Sequence, residues 1–204
     1  MFPAWRRSRA AASRLLDLLA KELIRDWRAA VELSSVHEVE ILHGAAVTLR
    51  PATTDDVSVL VGIRTTADVR RWWGEEDDFA AAVTEDLPKT FAIEHDGRVV
   101  GAIQWYEEEE PMYRHAGIDI YLDPAEASKG LGTDAVRTLA RHLIDDLGHH
   151  RLVIDPATDN VAAIRAYEKV GFQPVGVMRR YELGPDGRFH DGLLMDLLAE
   201  ELIR

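Results

Sequence analysis

The chain has 204 residues, of which 47% are hydrophobic, and carries a formal net charge of -12. This much apolar sequence can bury a substantial core, and no apolar run approaches the length of a membrane span, so we expect a soluble protein with no membrane partner. The acidic balance disfavours a nucleic-acid partner and favours a polycationic ligand. The absence of cysteine excludes disulfides and thiolate metal sites and suits a cytoplasmic location. The basic opening, residues 1–14, lacks the apolar core of a signal peptide, so secretion is not expected.

Residues 1–46 are predicted to be a helical extension and connector. An amphipathic helix is expected over residues 1–33, because its apolar residues recur at helical spacing: Leu15, Leu16, Leu19, Leu23 and Trp27. Such a face should be covered either by the rest of the chain or by a second subunit, so a homodimer is one of the two expected arrangements. We assign residues 47–204 to one catalytic domain.

From residue 47 onwards, strand and helix patterns alternate. A strand is predicted at residues 47–50, helices near residues 55–71 and 78–87, and strands at residues 90–94 and 98–105 around the Asp96-Gly97 turn. A last hairpin turns at residues 184–187, between strands near residues 172–182 and 189–197. This order predicts a mixed α/β sheet.

The segment from residue 117 to residue 172 carries the chemistry. Gly130-Leu131-Gly132-Thr133 leads into a helix whose apolar face comprises Val136, Leu139, Ala140, Leu143 and Leu147. Glycines let a ligand approach the backbone, and the N–H groups of a helix start attract phosphate, so a diphosphate could bind here. The alternative is that the glycines only make a tight strand-to-helix turn.

A second strand and helix follow. Residues 151–155 alternate as a short strand does, and Asn160 is a favoured N-cap for a helix that ends at Gly171. Tyr167 lies on the apolar face of this helix and should project toward the strands. A tyrosine in that position is more often a core residue than a catalytic one.

These motifs resemble the GNAT superfamily of N-acetyltransferases. Its phosphate loop begins with Gln or Arg, followed by two variable residues, Gly, one variable residue, and Gly or Ala. A later helix carries Asn, then Tyr, then Gly-Phe. Gly130 and Gly132 match the loop, whereas its Gln or Arg position falls on Ala127, which Lys129 could compensate. The helix motif is matched by Asn160, Tyr167 and Gly171-Phe172.

The resemblance narrows to the aminoglycoside 6'-N-acetyltransferases over about residues 47–198. Three local matches carry it: Trp72-Trp73-Gly74-Glu75, an aromatic-acidic loop at residues 105–110 ahead of Gly117-Ile118-Asp119, and Asp155-Pro156. It implies a mixed, mostly antiparallel central sheet flanked by helices, to which the amphipathic helix of residues 1–33 is an addition. It also implies acetyl-CoA as co-substrate and direct acetyl transfer to an aminoglycoside 6'-amine, which would confer antibiotic resistance.

Two alternatives remain open. One keeps the fold and changes the acceptor to a polyamine, a protein amino terminus or a siderophore-type lysine. The other is a non-catalytic domain that senses acyl-CoA, which Ala127 favours and the set of Asp119, Asp155 and Tyr167 disfavours.

The resemblance also implies roles for individual residues. Asp119 would bind the incoming ammonium group and accept its proton, and Tyr167 would be the general acid for the departing thiolate. The backbone of the strand would hold the pantetheine arm and polarise the thioester carbonyl. The expected acetyl-CoA-binding residues are Ile120, Tyr121, Leu122, Lys129, Gly130, Leu131, Gly132, Thr133, Asn160 and Tyr167.

The expected acceptor-binding residues are mostly aromatic or acidic. They are Trp72, Trp73, Glu75, Glu107, Glu108, Glu109, Glu110, Asp119 and Asp155. Simpler explanations stand beside these roles: Asp119 could cap a turn or pair with Arg114, Asp155 could form an Asx-Pro turn, the acidic run could be a solvated loop, and one tryptophan should belong to the core. His149-His150 with Asp145-Asp146 match no standard ligand set, so no metal is expected.

One similarity within the chain has no functional account. Residues 15–25 read LLDLLAKELIR and residues 194–204 read LMDLLAEELIR, with nine of eleven positions identical. Chance, a cloning artefact and a local duplication all remain open. We favour an amphipathic segment that packs on the domain or on a second subunit.

Overall fold

The structure, a computed structural model, describes residues 41–204 as an eight-stranded sheet with five α-helices. The strands are β1 (Leu42–His43), β2 (Thr48–Pro51), β3 (Thr90–His95), β4 (Arg98–Glu108), β5 (His115–Leu122), β6 (Arg151–Ile154), β7 (Gln173–Leu183) and β8 (Phe189–Leu198). The helices are α1 (Val57–Arg64), α2 (Ala67–Trp73), α3 (Phe79–Asp86), α4 (Leu131–Arg141) and α5 (Val161–Glu168). None of the helices within residues 41–204 is long and apolar enough to cross a membrane.

The strands lie in the order β1-β2-β3-β4-β5-β6-β8-β7. Every neighbouring pair is antiparallel except β5 and β6, which run parallel and pair only at Ala116–Leu152 and Gly117–Val153. Beyond Gly117 the two strands have no further paired residues, which leaves a gap between them. The predicted mixed, mostly antiparallel sheet flanked by helices is confirmed.

A hydrophobic core lies on each face of the sheet. On one face, α4 and α5 pack on alternate residues of the central strands, including the fully buried Ile103, Ile118 and Leu152. On the other face, α1, α2 and α3 pack on the intervening residues Ala102 and Tyr121. Because successive strand residues point to opposite faces, Asp119 shares the α1–α3 face with Tyr121.

The single helix predicted over residues 55–71 is two helices. The Thr65 hydroxyl donates to the carbonyl of Val61 at 2.9 Å, and the Thr66 hydroxyl donates to the carbonyl of Ile63 at 2.7 Å. Thr66 has an extended backbone and is the N-cap of α2. Side chains that satisfy the last carbonyls of α1 in this way end the helix and let the chain turn.

The acidic segment is also different from the prediction. β4 continues to Glu108, so Glu107 and Glu108 belong to a strand, and only Glu109 and Glu110 lie beyond it. The prediction of a loop over residues 105–110 was wrong because pairing with β5 extends the strand to Glu108–His115.

Residues 194–204 form the end of β8 and a 3₁₀ turn at Ala199–Glu201. The side chains of Met195, Leu197 and Leu202 are buried in the main core, and Arg204 pairs with Asp145 at 2.6 Å. This copy of the repeated sequence therefore packs on its own domain. Its counterpart at residues 15–25, the helix predicted over residues 1–33 and most of the connector lie outside the described residues.

Candidate active site

The gap between β5 and β6 exposes one edge of β5. Asp123 N–H donates to the Val100 carbonyl at 2.8 Å, and hydrogen-bonded pairs alternate along an antiparallel ladder. The backbone groups of Tyr121 and Asp119 therefore point toward β4, whereas those of Ile120 and Leu122 point toward the gap. Of the three strand residues predicted to hold the pantetheine arm, two present backbone groups to the gap and Tyr121 does not.

The loop before α4 has the backbone of an anion site. Gly130, the N-cap, has a φ of 83°, and Ser128 has a φ of 63°. Asp134 N–H donates to the Gly130 carbonyl, so the preceding N–H groups of the first turn have no acceptor within the helix; they belong to Leu131, Gly132 and Thr133. A Cβ added to Gly132 would lie 3.2 Å from the Leu122 side chain, so this turn adjoins the end of β5.

The Asp134 carboxylate fixes the start of α4. It accepts hydrogen bonds from the backbone N–H groups of Ala45, Ala46 and Val47 at 3.1, 2.7 and 3.1 Å, which ties the turn between β1 and β2 to the helix. The nearby basic residue, Lys129, is held by Glu126 at 2.7 Å. That hydrogen bond is the main reason why the pKa of Glu126 lies below its ordinary value. The ammonium group of Lys129 thus has a carboxylate partner beside the loop.

Asp119, Asp155 and Tyr167 share one electrostatic environment at the gap. Asp119 lies on β5 two residues past the last contact with β6, and Asp155 directly follows β6. Tyr167 comes from α5 and is 8% exposed. Burial raises the pKa of the Tyr167 hydroxyl above its ordinary value, and the charges of Asp119 and Asp155 raise it further. Such a hydroxyl keeps its proton at neutral pH and would release it only to a strong base that forms beside it.

Tyr181 is a further residue of this group, and the sequence analysis missed it. Its hydroxyl donates to Asp155 Oδ2 at 2.5 Å. A register shift between Met178 and Glu182 places extra residues of β7 opposite β8, and Arg180 has a φ of 52° there. Such a bulge re-aims side chains and turns Tyr181 toward Asp155. The Tyr-Glu-Leu-Gly-Pro sequence signals a strand end but not this bulge.

Asn160 caps α5, as predicted, because its Oδ1 accepts from the N–H of Ala163 at 3.2 Å. This bond commits the oxygen of the side chain, so a contact with a pantetheine arm would fall to the Nδ2 donor.

The two neighbouring tryptophans point to different parts of the site. Trp73 donates its indole N–H to the Ile120 carbonyl at 3.1 Å and packs edge-on against Tyr121, with ring centroids 4.9 Å apart. The buried guanidinium of Arg64 lies 4.5 Å from the Trp73 ring centroid and pairs with Glu76 at 3.5 Å. Trp72 lines a separate cleft.

The predicted acidic residues do not act as one cluster. Glu107 pairs with Arg114 at 2.8 Å, on the α4–α5 face, whereas Glu108 lies on the α1–α3 face with Asp119. Glu109 and Glu110 are exposed, and Glu75 pairs with Arg70. One structural explanation for Asp119 was an ion pair with Arg114. Arg114 instead pairs with Glu107 and donates to the carbonyl of Leu147, so it does not provide that ion pair.

The histidine and aspartate residues near α4 have separate partners. Asp145 pairs with Arg204, Asp146 with His142, and His149 is buried near Glu107 at 3.8 Å. Burial is the largest cause that lowers the pKa of the His149 imidazole below its ordinary value, and burial therefore favours the neutral ring. Within residues 41–204, no group of three or more such side chains could hold a metal ion.

A cleft of about 290 Å³ lies beside the gap, between three segments that are distant in sequence. The end of α2 contributes Arg71, Trp72 and Gly74; the loop after β6 contributes Ala157 and Asp159; and the hairpin between β7 and β8 contributes Glu182, Gly184, Pro185, Asp186 and His190. Three carboxylates and one arginine therefore line the cleft. Asp186 accepts from His190 at 2.9 Å, which is the main reason why its pKa is lowered. The sequence predicts the turn at residues 184–187, but not that the acidic residues of this hairpin border a cleft.

Comparison with known proteins identifies the family. The sequence profile of the acetyltransferase (GNAT) domain matches residues 46–173, and the chain belongs to this family. It is 32% identical over 165 residues to an aminoglycoside N(6')-acetyltransferase type 1 from Klebsiella pneumoniae, covering 70% of this chain and 79% of that protein. It is also 25% identical over 167 residues to a spermidine N(1)-acetyltransferase from Escherichia coli, covering 78% of this chain and 89% of that protein.

Among solved structures, the chain is similar to AAC(6')-Ib in complex with paromomycin and acetyl-CoA. The TM-score is 0.63 at 29% sequence identity, and the match covers 76% of this chain and 95% of that one. The protein is thus a GNAT acetyltransferase, and the predicted family resemblance is confirmed.

Proposed function

We propose that this protein transfers the acetyl group of acetyl-CoA to a cationic amine, and that the acceptor is an aminoglycoside acetylated at its 6'-amine. One observation carries the proposal: two carboxylates and a buried tyrosine adjoin the β5–β6 gap, next to an acidic cleft. The similarity to an aminoglycoside N(6')-acetyltransferase supports the choice of acceptor. Acetylation of that amine would remove a positive charge from the antibiotic and confer resistance.

The residues around the gap fit acetyl-CoA. The N–H groups at the start of α4 would bind its diphosphate, because they have no acceptor within the helix and carry the positive end of the helix dipole. The N–H of Ile120, whose carbonyl accepts from Trp73, and the gap-facing backbone of Leu122 would pair with the pantetheine arm in place of a neighbouring strand. The bound co-substrate supplies an activated acyl group as a thioester.

The side chains then supply proton transfers. Asp119 would hold the acceptor's ammonium group and take one proton, either directly or through water, which leaves a neutral amine. The amine nitrogen attacks the thioester carbonyl, a C–N bond forms, and the C–S bond breaks. Tyr167 would give its proton to the departing thiolate, and the surplus proton on the new amide nitrogen would return to Tyr167, directly or through water. The products are an N-acetylated acceptor and the thiol of coenzyme A.

The acceptor would lie in the cleft. Ammonium groups of an aminoglycoside match the carboxylates of Asp159, Glu182 and Asp186 in charge, and Asp155 would face the group nearest the gap. Trp72 would offer an apolar wall to a sugar ring. Of the acidic run, Glu108 is the member that we place on the acceptor side, because it shares the face of Asp119.

A polyamine is the second candidate acceptor. The similarity to a spermidine N(1)-acetyltransferase favours it, and a linear polyamine would satisfy the same carboxylates without needing a wall for a sugar ring. A protein amino terminus or a siderophore-type lysine would use the same chemistry. A non-catalytic sensor would bind acyl-CoA and acetylate none of these acceptors.

The test is a thiol-release assay with acetyl-CoA against aminoglycosides, polyamines and peptides, followed by mass spectrometry of the products. Kanamycin-type compounds with a 6'-amine should react at that position, whereas their 6'-hydroxyl counterparts should not be acetylated at that position. Turnover of spermidine or peptides alone would reject the aminoglycoside assignment. Binding of acetyl-CoA without turnover of any acceptor would instead support the sensor.

A further inference from the structure

The acidic cleft already contains a cation that belongs to the protein. Arg71, on the last turn of α2, places its guanidinium carbon 4.4 Å from the Trp72 ring centroid. Its Nη2 atom lies 3.4 Å from the Asp159 Oδ2 atom on the opposite wall. An arginine thus bridges two walls of the cleft, over the ring that we assign to the acceptor.

These two contacts are the ones that an ammonium group would make. A cation is attracted to the face of an indole ring and forms charge-assisted hydrogen bonds with a carboxylate. A substrate cation near Trp72 and Asp159 would meet the guanidinium of Arg71, and two like charges at one position repel each other. The substrate and Arg71 therefore compete for the same ring and carboxylate.

The strength of the pair decides what Arg71 can do. The side chain of Arg71 is 63% exposed and that of Asp159 is 62% exposed, so solvent screens their attraction. At the low end of their ranges, where solvent screening places them, an exposed ion pair and an exposed cation–π contact together amount to a roughly two- to fivefold effect on affinity. A ligand can therefore displace Arg71, but only if its own contacts in the cleft are stronger than the contacts that Arg71 gives up.

We propose that Arg71 is a specificity-determining residue that competes with cationic acceptors for Trp72 and Asp159. It raises the acceptor concentration needed for half-saturation and penalises acceptors with a single positive charge, because they cannot recover the cost through Glu182 and Asp186. This inference rests on the proposed acceptor site and adds a residue whose removal should improve binding.

The experiment compares Arg71→Gln with Arg71→Lys and with Arg70→Gln. Arg70 is the preceding residue of α2, but it pairs with Glu75 and does not line the cleft, so it controls for loss of an arginine from this helix. The KM for kanamycin A and for spermidine is measured with acetyl-CoA saturating. The Kd of each amine is measured by calorimetry at low and at moderate salt.

Arg71→Gln should lower the KM and Kd of these amines about two- to fivefold at low salt, with a smaller gain at moderate salt. Arg71→Lys, which keeps the charge, should stay close to wild type, as should Arg70→Gln. Unchanged or weaker amine binding in Arg71→Gln would overturn the inference, as would equal effects of the Gln and Lys variants at position 71. If the wild type neither binds nor acetylates any amine while acetyl-CoA still binds, the proposed acceptor class fails instead.

Discussion

The two halves of the candidate site are built in different ways. The backbone groups of the donor half come from nearly consecutive residues, because β5 and the loop before α4 are separated by fewer than ten positions. The acceptor cleft is assembled from α2, the loop after β6 and the β7–β8 hairpin, which lie up to about 120 positions apart. The donor half would bind its ligand mainly through backbone groups, whereas the cleft would bind its ligand mainly through charged side chains. We therefore expect substitutions in the two halves to change different constants.

The largest effect is expected where the halves meet. Asp119→Asn removes the proposed proton acceptor and should lower kcat/KM on the order of 100-fold or more, since general-base loss has effects of this size. The Kd of acetyl-CoA, measured by calorimetry, should stay within about twofold, because no diphosphate contact is lost. Asp155→Asn should also lower kcat/KM, and more of that loss should come from a raised acceptor KM. Glu85→Gln, on the exposed side of α3, is the control; wild-type rates in Asp119→Asn would exclude the role.

Tyr167→Phe should lower kcat about 10- to 100-fold with little change in acceptor KM, because a lost proton donor acts mainly in the transition state. The raised pKa of Tyr167 has a further consequence. Its proton stays bound at and above the ordinary tyrosine pKa of about 10, so the wild-type pH–rate profile should show no loss from this group below that pH. An unchanged kcat in Tyr167→Phe would mean that Tyr167 has only a packing role in the core.

The comparison of the two halves also explains what the sequence could predict. Gly130, the N-cap at Asn160 and the Asp96-Gly97 turn depend on backbone preferences that are local, and the strands and helices around them were confirmed. The break between α1 and α2 was missed because the hydroxyls of Thr65 and Thr66 compete with the helix ladder, which apolar spacing does not reveal. Residues 194–198 have a helix-like composition but form a strand, because pairing with β6 and β7 overrides propensity.

The acceptor cleft was the part that sequence reasoning could not assemble. Glu107 and Glu108 are adjacent in sequence, yet strand alternation sends them to opposite faces of β4. Arg71 meets Glu182 and Asp186 only through tertiary packing, and Tyr181 reaches Asp155 only through a bulge. No local pattern encodes those positions.

A test confined to the donor half is Gly130→Val. A β-branched residue at a φ of 83° is strained, so the loop should shift and the Kd of acetyl-CoA should rise about tenfold, while the acceptor KM stays unchanged. Gly97→Val is the matched control, since Gly97 has a φ of 71° in the turn between β3 and β4. Both variants should lose thermal stability, but only the first should lose acetyl-CoA affinity. Equal Kd values for acetyl-CoA in the two variants would show that the loop at Gly130 is not part of the donor site.

The smallest effect is expected from Tyr181→Phe, which tests whether the bulge serves the acceptor half. The substitution removes the hydroxyl that donates to Asp155 and keeps the ring, so the carboxylate loses one fixed partner and gains freedom to turn. We expect the acceptor KM to change about two- to fivefold, because water can replace the lost partner of an exposed carboxylate, with the Kd of acetyl-CoA unchanged. Tyr113→Phe, another exposed tyrosine that does not line the cleft, should leave both constants at wild-type values. If Tyr181→Phe instead altered acetyl-CoA binding and spared the acceptor KM, Asp155 would belong to the donor half, and the division of the site at β5 would be wrong.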